Sequence, residues 1–162
     1  QTIWPAVATV ATSIEHVGST SVPGLAAKPV IDLSVVVPGI PDVPVAIACL
    51  ADLGYVHTGN LGVGGREAFR SPHVTPRHHL YLCHRESLAL RNHLAVRDYL
   101  RAHPETAGRY GELKKRLAEE HRHDIDGYAW GKTNFMLEIL DAAGLSPHQL
   151  KSIERINRPP DW

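Results

Sequence analysis

The segment Pro29-Val30-Ile31-Asp32-Leu33-Ser34-Val35-Val36-Val37 constrains the fold of this chain more than any other. β-Branched side chains are stiff in a helix and pack well on a pleated surface, so the run reads as a mostly buried strand. A shorter strand candidate, Ile14-Glu15-His16-Val17, precedes it and ends in Gly18-Ser19-Thr20-Ser21. Small and hydroxyl residues continue to Pro23-Gly24, as in a turn that presents backbone N–H groups.

Beyond this strand, Pro38 to Pro44 is a loop with three prolines, and Val45 to Leu53 reads as a short helix stopped by Gly54. Tyr55-Val56-His57 is a further strand candidate, followed by a glycine-rich stretch from Gly59 to Gly65. Glu67-Ala68-Phe69-Arg70 and His79-Leu80-Tyr81-Leu82-Cys83 alternate in period two and predict two more strands. From Ser87 the pattern becomes helical, with helices expected over 87–102, 105–121 and 126–143. Pro104 sits at or near the start of the second, Asp124 or Asp126 caps the third, and Gly144 ends it. Strands followed by a helical half predict an α+β fold, a mixed sheet with helices packed against it. The expected organisation is one domain over 1–145 and a polar tail over 146–162.

At 162 residues a real core forms without staples. Lys+Arg and Asp+Glu balance at 17 each, which argues against nucleic acid or a membrane surface as partner. Cys49 and Cys83 form no CxxC pair, and no apolar run reaches the roughly 20 residues of a membrane span. With no signal peptide at the start, a cytoplasmic, reducing setting is the expectation. Oligomeric state is left open.

Glycine lets a phosphate approach backbone donors closely, and serine and threonine add hydroxyls. An acidic residue on a neighbouring strand can hold a divalent cation that bridges phosphate oxygens. Gly18-Ser19 followed by Asp32 has this arrangement, and it is equally that of an ordinary tight turn beside a strand-end aspartate. On the helical side, Tyr128, Lys132, Phe135, Met136 and Ile139 share one face at 100° per residue, so Lys132 projects from an apolar stripe. His93 and Arg97 fall likewise with Leu90, Leu94 and Leu100. Such cations either snorkel to an edge, meet a protein carboxylate or face an anionic ligand. Arg66, Glu67 and Arg70 follow the glycine-rich loop, Glu67 being a further candidate acidic ligand. His16 fixes the loop or donates to a ligand, and His121 and His123 are expected to face solvent.

The Gly-Ser turn, spacer and acidic strand resemble the signature of polymerase-β-type nucleotidyltransferases. The run Ile14-Glu15-His16-Val17-Gly18-Ser19-Thr20-Ser21-Val22-Pro23-Gly24-Leu25-Ala26-Ala27-Lys28-Pro29-Val30-Ile31-Asp32 is similar to the hallmark of the GrpB (UPF0157-type) family. Arg77-His78-His79-Leu80-Tyr81-Leu82 and Arg91-Asn92-His93-Leu94-Ala95-Val96-Arg97-Asp98-Tyr99-Leu100-Arg101 extend the resemblance, which runs from about Ile14 to Leu140. It implies a nucleotidyltransferase-like fold and a nucleotide or other phosphate-bearing small molecule as ligand. In that reading Gly18, Ser19, Thr20, Ser21, Lys28, Arg97, Tyr128 and Lys132 contact phosphate. Asp32 is the catalytic acidic residue, and Asp32 with His79 holds a divalent metal (Mg, Mn or Zn). One departure stands out: the superfamily pattern places a second carboxylate where this chain has Ser34. GrpB-like domains also occur fused to dephospho-coenzyme A kinase, so the resemblance equally implies a degenerate metal- or ligand-binding accessory module.

Overall fold

The computed structural model describes residues 3–72 and 76–160. The chain divides into two compact units, one built from the residues up to Ser21 with Lys28–Leu94, the other from Val22–Ala27 with the residues from Ala95 on.

The first unit carries a five-stranded sheet in the order β1-β2-β5-β4-β3, formed by β1 (Ser13–Val17), β2 (Ile31–Val37), β3 (Val56–His57), β4 (Arg66–Arg70) and β5 (His78–His84). β2 pairs β5 in parallel, and the other pairs are antiparallel, which makes the sheet mixed as expected. Successive residues of a strand face opposite sides. Leu33, Val35 and Val37 of β2, Leu80 and Leu82 of β5 and Phe69 of β4 belong to one core cluster. Helices α1 (Ile3–Val7) and α2 (Val43–Asp52) cover it with Ile3, Val7, Ala46 and Leu50. Leu50, Leu80, Leu82, Val35 and Val37 are fully buried. Each such burial contributes about 1.5–3 kcal/mol, so this face anchors the unit. A smaller cluster of Val36, Cys83, Ala89 and Leu90 lies at one end of the other face.

α2 begins at Val43 with Pro44 in its first turn, after a single 3₁₀ turn over Ile40–Asp42, two residues earlier than the sequence suggested. Proline's fixed φ suits a first helical turn, so it opens this helix rather than delaying it. Gly54, with φ +86°, ends it as expected.

Helix α3 (Leu88–Ala102) begins in the first unit. The second unit holds α4 (Pro104–Glu120), α5 (Ile125–Gly131), α6 (Thr133–Ala142) and α7 (Pro147–Asn157). Val22, Leu100, Ala107, Tyr110 and Ile139 form its core. Two expectations are corrected here. The helix read over 126–143 is two helices, interrupted at Lys132. Gly131 is a poor helix former, and Thr133 is β-branched, its hydroxyl turned back to the Ala129 carbonyl at 3.4 Å. The stretch after Ser146, expected as a tail, is mostly α7, opened by a Ser146–Gln149 capping box and anchored by buried Ile153. Asp124 is the cap of α5, accepting from the Gly127 N–H at 2.8 Å. No helix among the described residues is long and apolar enough to cross a membrane.

Candidate functional site

Strand register sorts the chemistry-bearing residues of the first unit into rows on the sheet face opposite α1 and α2. The first row is Val17, Asp32 and His79, contributed by β1, β2 and β5. The second is Glu15, Ser34, Tyr81 and Ala68, from β1, β2, β5 and β4. The third holds Ser13, Val36, Cys83 and Arg66. Neighbouring strands lie about 4.8 Å apart, so Asp32 and His79 stand side by side on one face.

The turn that follows β1 is tied down from within. Gly18 adopts φ +71°, a conformation that favours glycine. The Ser21 N–H and hydroxyl both donate to the Gly18 carbonyl, at 3.1 and 2.6 Å. His16 Nε2 and Thr20 Oγ1 are hydrogen-bonded at 2.9 Å, so His16 braces the loop. A Cβ built on Gly18 would run into the Asp32 carboxylate. The turn backbone therefore lies directly against Asp32, as only glycine permits. Ser19 and Thr20 are half-buried, Ser21 is buried, and Lys28 is exposed on the segment leading into β2.

Tyr81 is the centre of the second row. The Arg66 guanidinium lies over its ring at 4.7 Å from the centroid, and the His93 ring is tilted against it at 5.9 Å. Burial pushes the Tyr81 phenol above its usual value, helped by the Asp32 charge and opposed by Arg66. Burial likewise lowers His93 to about 4, with the Arg66 charge pushing the same way. Ser34 is fully buried and its hydroxyl has no partner among the described residues. Cys83 is raised to about 11, chiefly by burial, which makes it an inert core thiol.

Glu67, a candidate ligand from the sequence, lies on the opposite face. It pairs with Leu82 in register, and its carboxylate meets His57 Nε2 at 2.6 Å. The residue one position earlier, Arg66, is the one that faces the candidate site. His78 is likewise on the far face: its Nδ1–H donates to the Pro76 carbonyl at 2.9 Å, so Nε2 accepts from the Tyr55 hydroxyl at 2.7 Å.

The remaining expected phosphate contacts, Arg97, Tyr128 and Lys132, belong to the second unit. Lys132 Nζ sits 4.4 Å from the Tyr128 ring centroid. Arg97 Nε donates to Asp98 Oδ1 at 2.8 Å, its side chain 14% exposed against 61% for Asp98. Sequence reasoning missed Lys114, buried on α4 with Nζ 5.3 Å from the Tyr110 centroid. Tyr110 stacks on Phe135 at 5.4 Å, and burial raises its phenol with Tyr128 adding to the effect. The signal for Lys114 was present: Ala107, Tyr110, Gly111, Lys114 and Leu117 form a helical stripe and are all buried. His121 is bonded to Asp124 at 3.1 Å, and His123 is exposed.

Residues 1–142 match the family model described as GrpB protein. Among curated proteins, the UPF0157 protein YqkA of Bacillus subtilis is 39% identical over 124 residues, covering 76% of this chain and 36% of that protein. The chain thus spans about a third of the length of that relative. The glutamate-rich protein GrpB of Alkalihalophilus pseudofirmus is 34% identical over 133 residues, covering 79% and 76% of the two chains. The crystal structure of the conserved protein GrpB from Enterococcus faecalis matches with a TM-score of 0.75 and 36% identity, over 93% of this chain and 87% of that one. With a matching model that spans most of its length and close fold agreement with a solved member, this chain belongs to the GrpB family.

Proposed function

We propose that the face bearing Asp32 binds a nucleoside triphosphate or similar phosphate ligand together with a divalent cation, in the manner of a nucleotidyltransferase. The observation that carries this reading is the Gly18 backbone lying against the Asp32 carboxylate. A phosphate on the turn then stands close enough to share a cation with Asp32. The described residues gather no group of three or more His, Cys, Asp and Glu side chains for a metal. An Asp32–His79 pair suits manganese or another transition ion better than magnesium, with phosphates and water completing the shell. It does not suit a closed zinc cage. Asp32 would be the principal ligand, with His79 beside it in register. The cation would supply charge neutralisation of the phosphates. The chain's own part is to position the ligand on the turn and to keep its backbone in place through Ser21 and His16.

Ser34 favours a second reading, in which a degenerate domain binds its ligand without transferring anything, as a metal-binding or coenzyme A-related accessory module. A serine hydroxyl is a weak ligand for a divalent cation, and here it replaces a carboxylate of the superfamily pattern.

Thermal melts with ATP, with and without magnesium or manganese, test both readings. A ligand at 100 times its dissociation constant adds about 2.7 kcal/mol of stability. The expected result is a stabilisation by nucleotide that needs the cation and falls at least tenfold in apparent affinity in Asp32→Asn, with the fold retained. Pyrophosphate release on incubation with candidate acceptors supports transfer, and its absence alongside binding supports the accessory reading. If no nucleoside triphosphate shifts the melt with either cation, the proposal is wrong.

A further inference from the structure

Roughly nine in ten or more buried polar groups in proteins find a hydrogen-bond partner. Among the described residues, four buried side-chain atoms do not: Ser34 Oγ, Arg66 Nε, Asn92 Oδ1 and His93 Nδ1. Three of these belong to residues that surround one ring. Ser34 is the register partner of Tyr81 on β2, Arg66 covers Tyr81 from β4, and His93 is tilted against it from α3. Asn92 precedes His93 in the chain. Partnerless atoms on three separate elements thus lie around a single residue.

The chemistry of the three narrows the occupant. Arg66 is permanently charged, and among the described residues no carboxylate pairs with it; its guanidinium has only the Tyr81 ring. An uncompensated cation with its Nε shut away from water is costly unless an anion reaches it. Arg66 Nε–H and the Ser34 hydroxyl are donors. His93 stays neutral at physiological pH, so it offers one further hydrogen bond and no second positive charge. Asp32 in the adjacent row and Glu15, the β1 partner of Ser34, limit the negative charge that can be accommodated.

We propose that Ser34, Arg66 and His93 form a binding pocket for one small oxyanion, the carboxylate or phosphate end of a metabolite, beside the Asp32 row. The pocket does not require a cation on Asp32, so it stands or falls separately from the metal-dependent reading.

The test uses the whole chain in EDTA at fixed ionic strength, titrated with inorganic phosphate and, in parallel, with acetate. Melting temperature and the histidine imidazole resonances report binding. The expected result is a saturable response to one of the two anions, which identifies the source of the oxyanion, with the His93 resonance moving. Arg66→Met should weaken it at least tenfold and Ser34→Ala at least threefold, while Asp32→Asn, which removes a negative charge from the adjacent row, should not weaken it. Should Arg66→Met fail to fold, Ser34→Ala, which removes only the hydroxyl, decides alone. No saturable response in the natural protein means that water fills the place, and the proposal fails. It fails equally if the variants bind as well as the parent, or if Asp32→Asn abolishes the response, since the two sites would then be one.

Discussion

Acidification from pH 6.5 to about 4 is expected to weaken the fold through His93 alone by about 3 kcal/mol at most. The folded-state value is depressed to about 4 by burial and by the Arg66 charge, whereas the unfolded chain titrates near the usual 6.5. Above pH 6.5 both states carry a neutral imidazole and the residue contributes no slope. Between the two values the unfolded chain binds a proton that the folded one refuses, so stability falls as pH falls. Below about 4 both are protonated and the loss levels off. Other groups titrate in the same window, so the quantity to measure is a difference. Urea melts of the parent and His93→Phe at half-unit steps should diverge in slope only between pH 6.5 and 4, with the variant the flatter of the two. Parallel curves across that window would show that His93 titrates normally.

The second large effect is expected from Gly18→Ala. A left-handed backbone costs a residue with a Cβ about 1–2 kcal/mol. At Gly18 the added carbon also meets the Asp32 carboxylate, and either the turn or the strand must give way. A total loss of about 2–4 kcal/mol is expected, together with the loss of the proposed cation-dependent nucleotide binding. Gly24 provides the control. Its φ is +77° and nothing lies within 4 Å of its would-be Cβ, so Gly24→Ala should cost only the backbone share. A double-mutant cycle isolates the collision, because Gly18→Ala combined with Asp32→Ala should recover most of the excess. Equal losses at the two glycines would mean that the approach of turn to carboxylate has no energetic consequence.

The strands were legible because period-two alternation and β-branched runs are local properties of the chain. Their facing was legible only in part. Arg66 and Glu67 are adjacent, and a shift of one residue exchanges which side chain meets β5's polar face and which meets the far side. That register is set by pairing with β5, which no local pattern encodes. Asp32 and His79 could be proposed as neighbours from the family resemblance, whereas the gathering of Ser34, Arg66 and His93 on Tyr81 depends on three elements whose order in space the sequence does not spell out. The break at Lys132 was hidden for a different reason. Its backbone, φ −83° and ψ −16°, stays in the helical region, so the apolar periodicity carries straight across the interruption. α7 is masked by its polar composition, although Ser146, Pro147 and Gln149 are a helix-opening sequence.

The parallel pairing of β2 with β5 has a kinetic consequence. These strands meet only after α2, β3 and β4 have been looped out between them, so Asp32 and His79 are joined by one of the least local contacts in the sheet. Closing such a loop costs entropy before any contact repays it, and non-local pairing slows folding. β1 and β2 can form their antiparallel pair earlier, and so can β4 and β5, but neither half contains both members of the first row. A partly folded chain therefore has the glycine turn without its completed surroundings. The proposed ligand binding should appear in refolding only with the last, slowest step that brings the two halves of the sheet together.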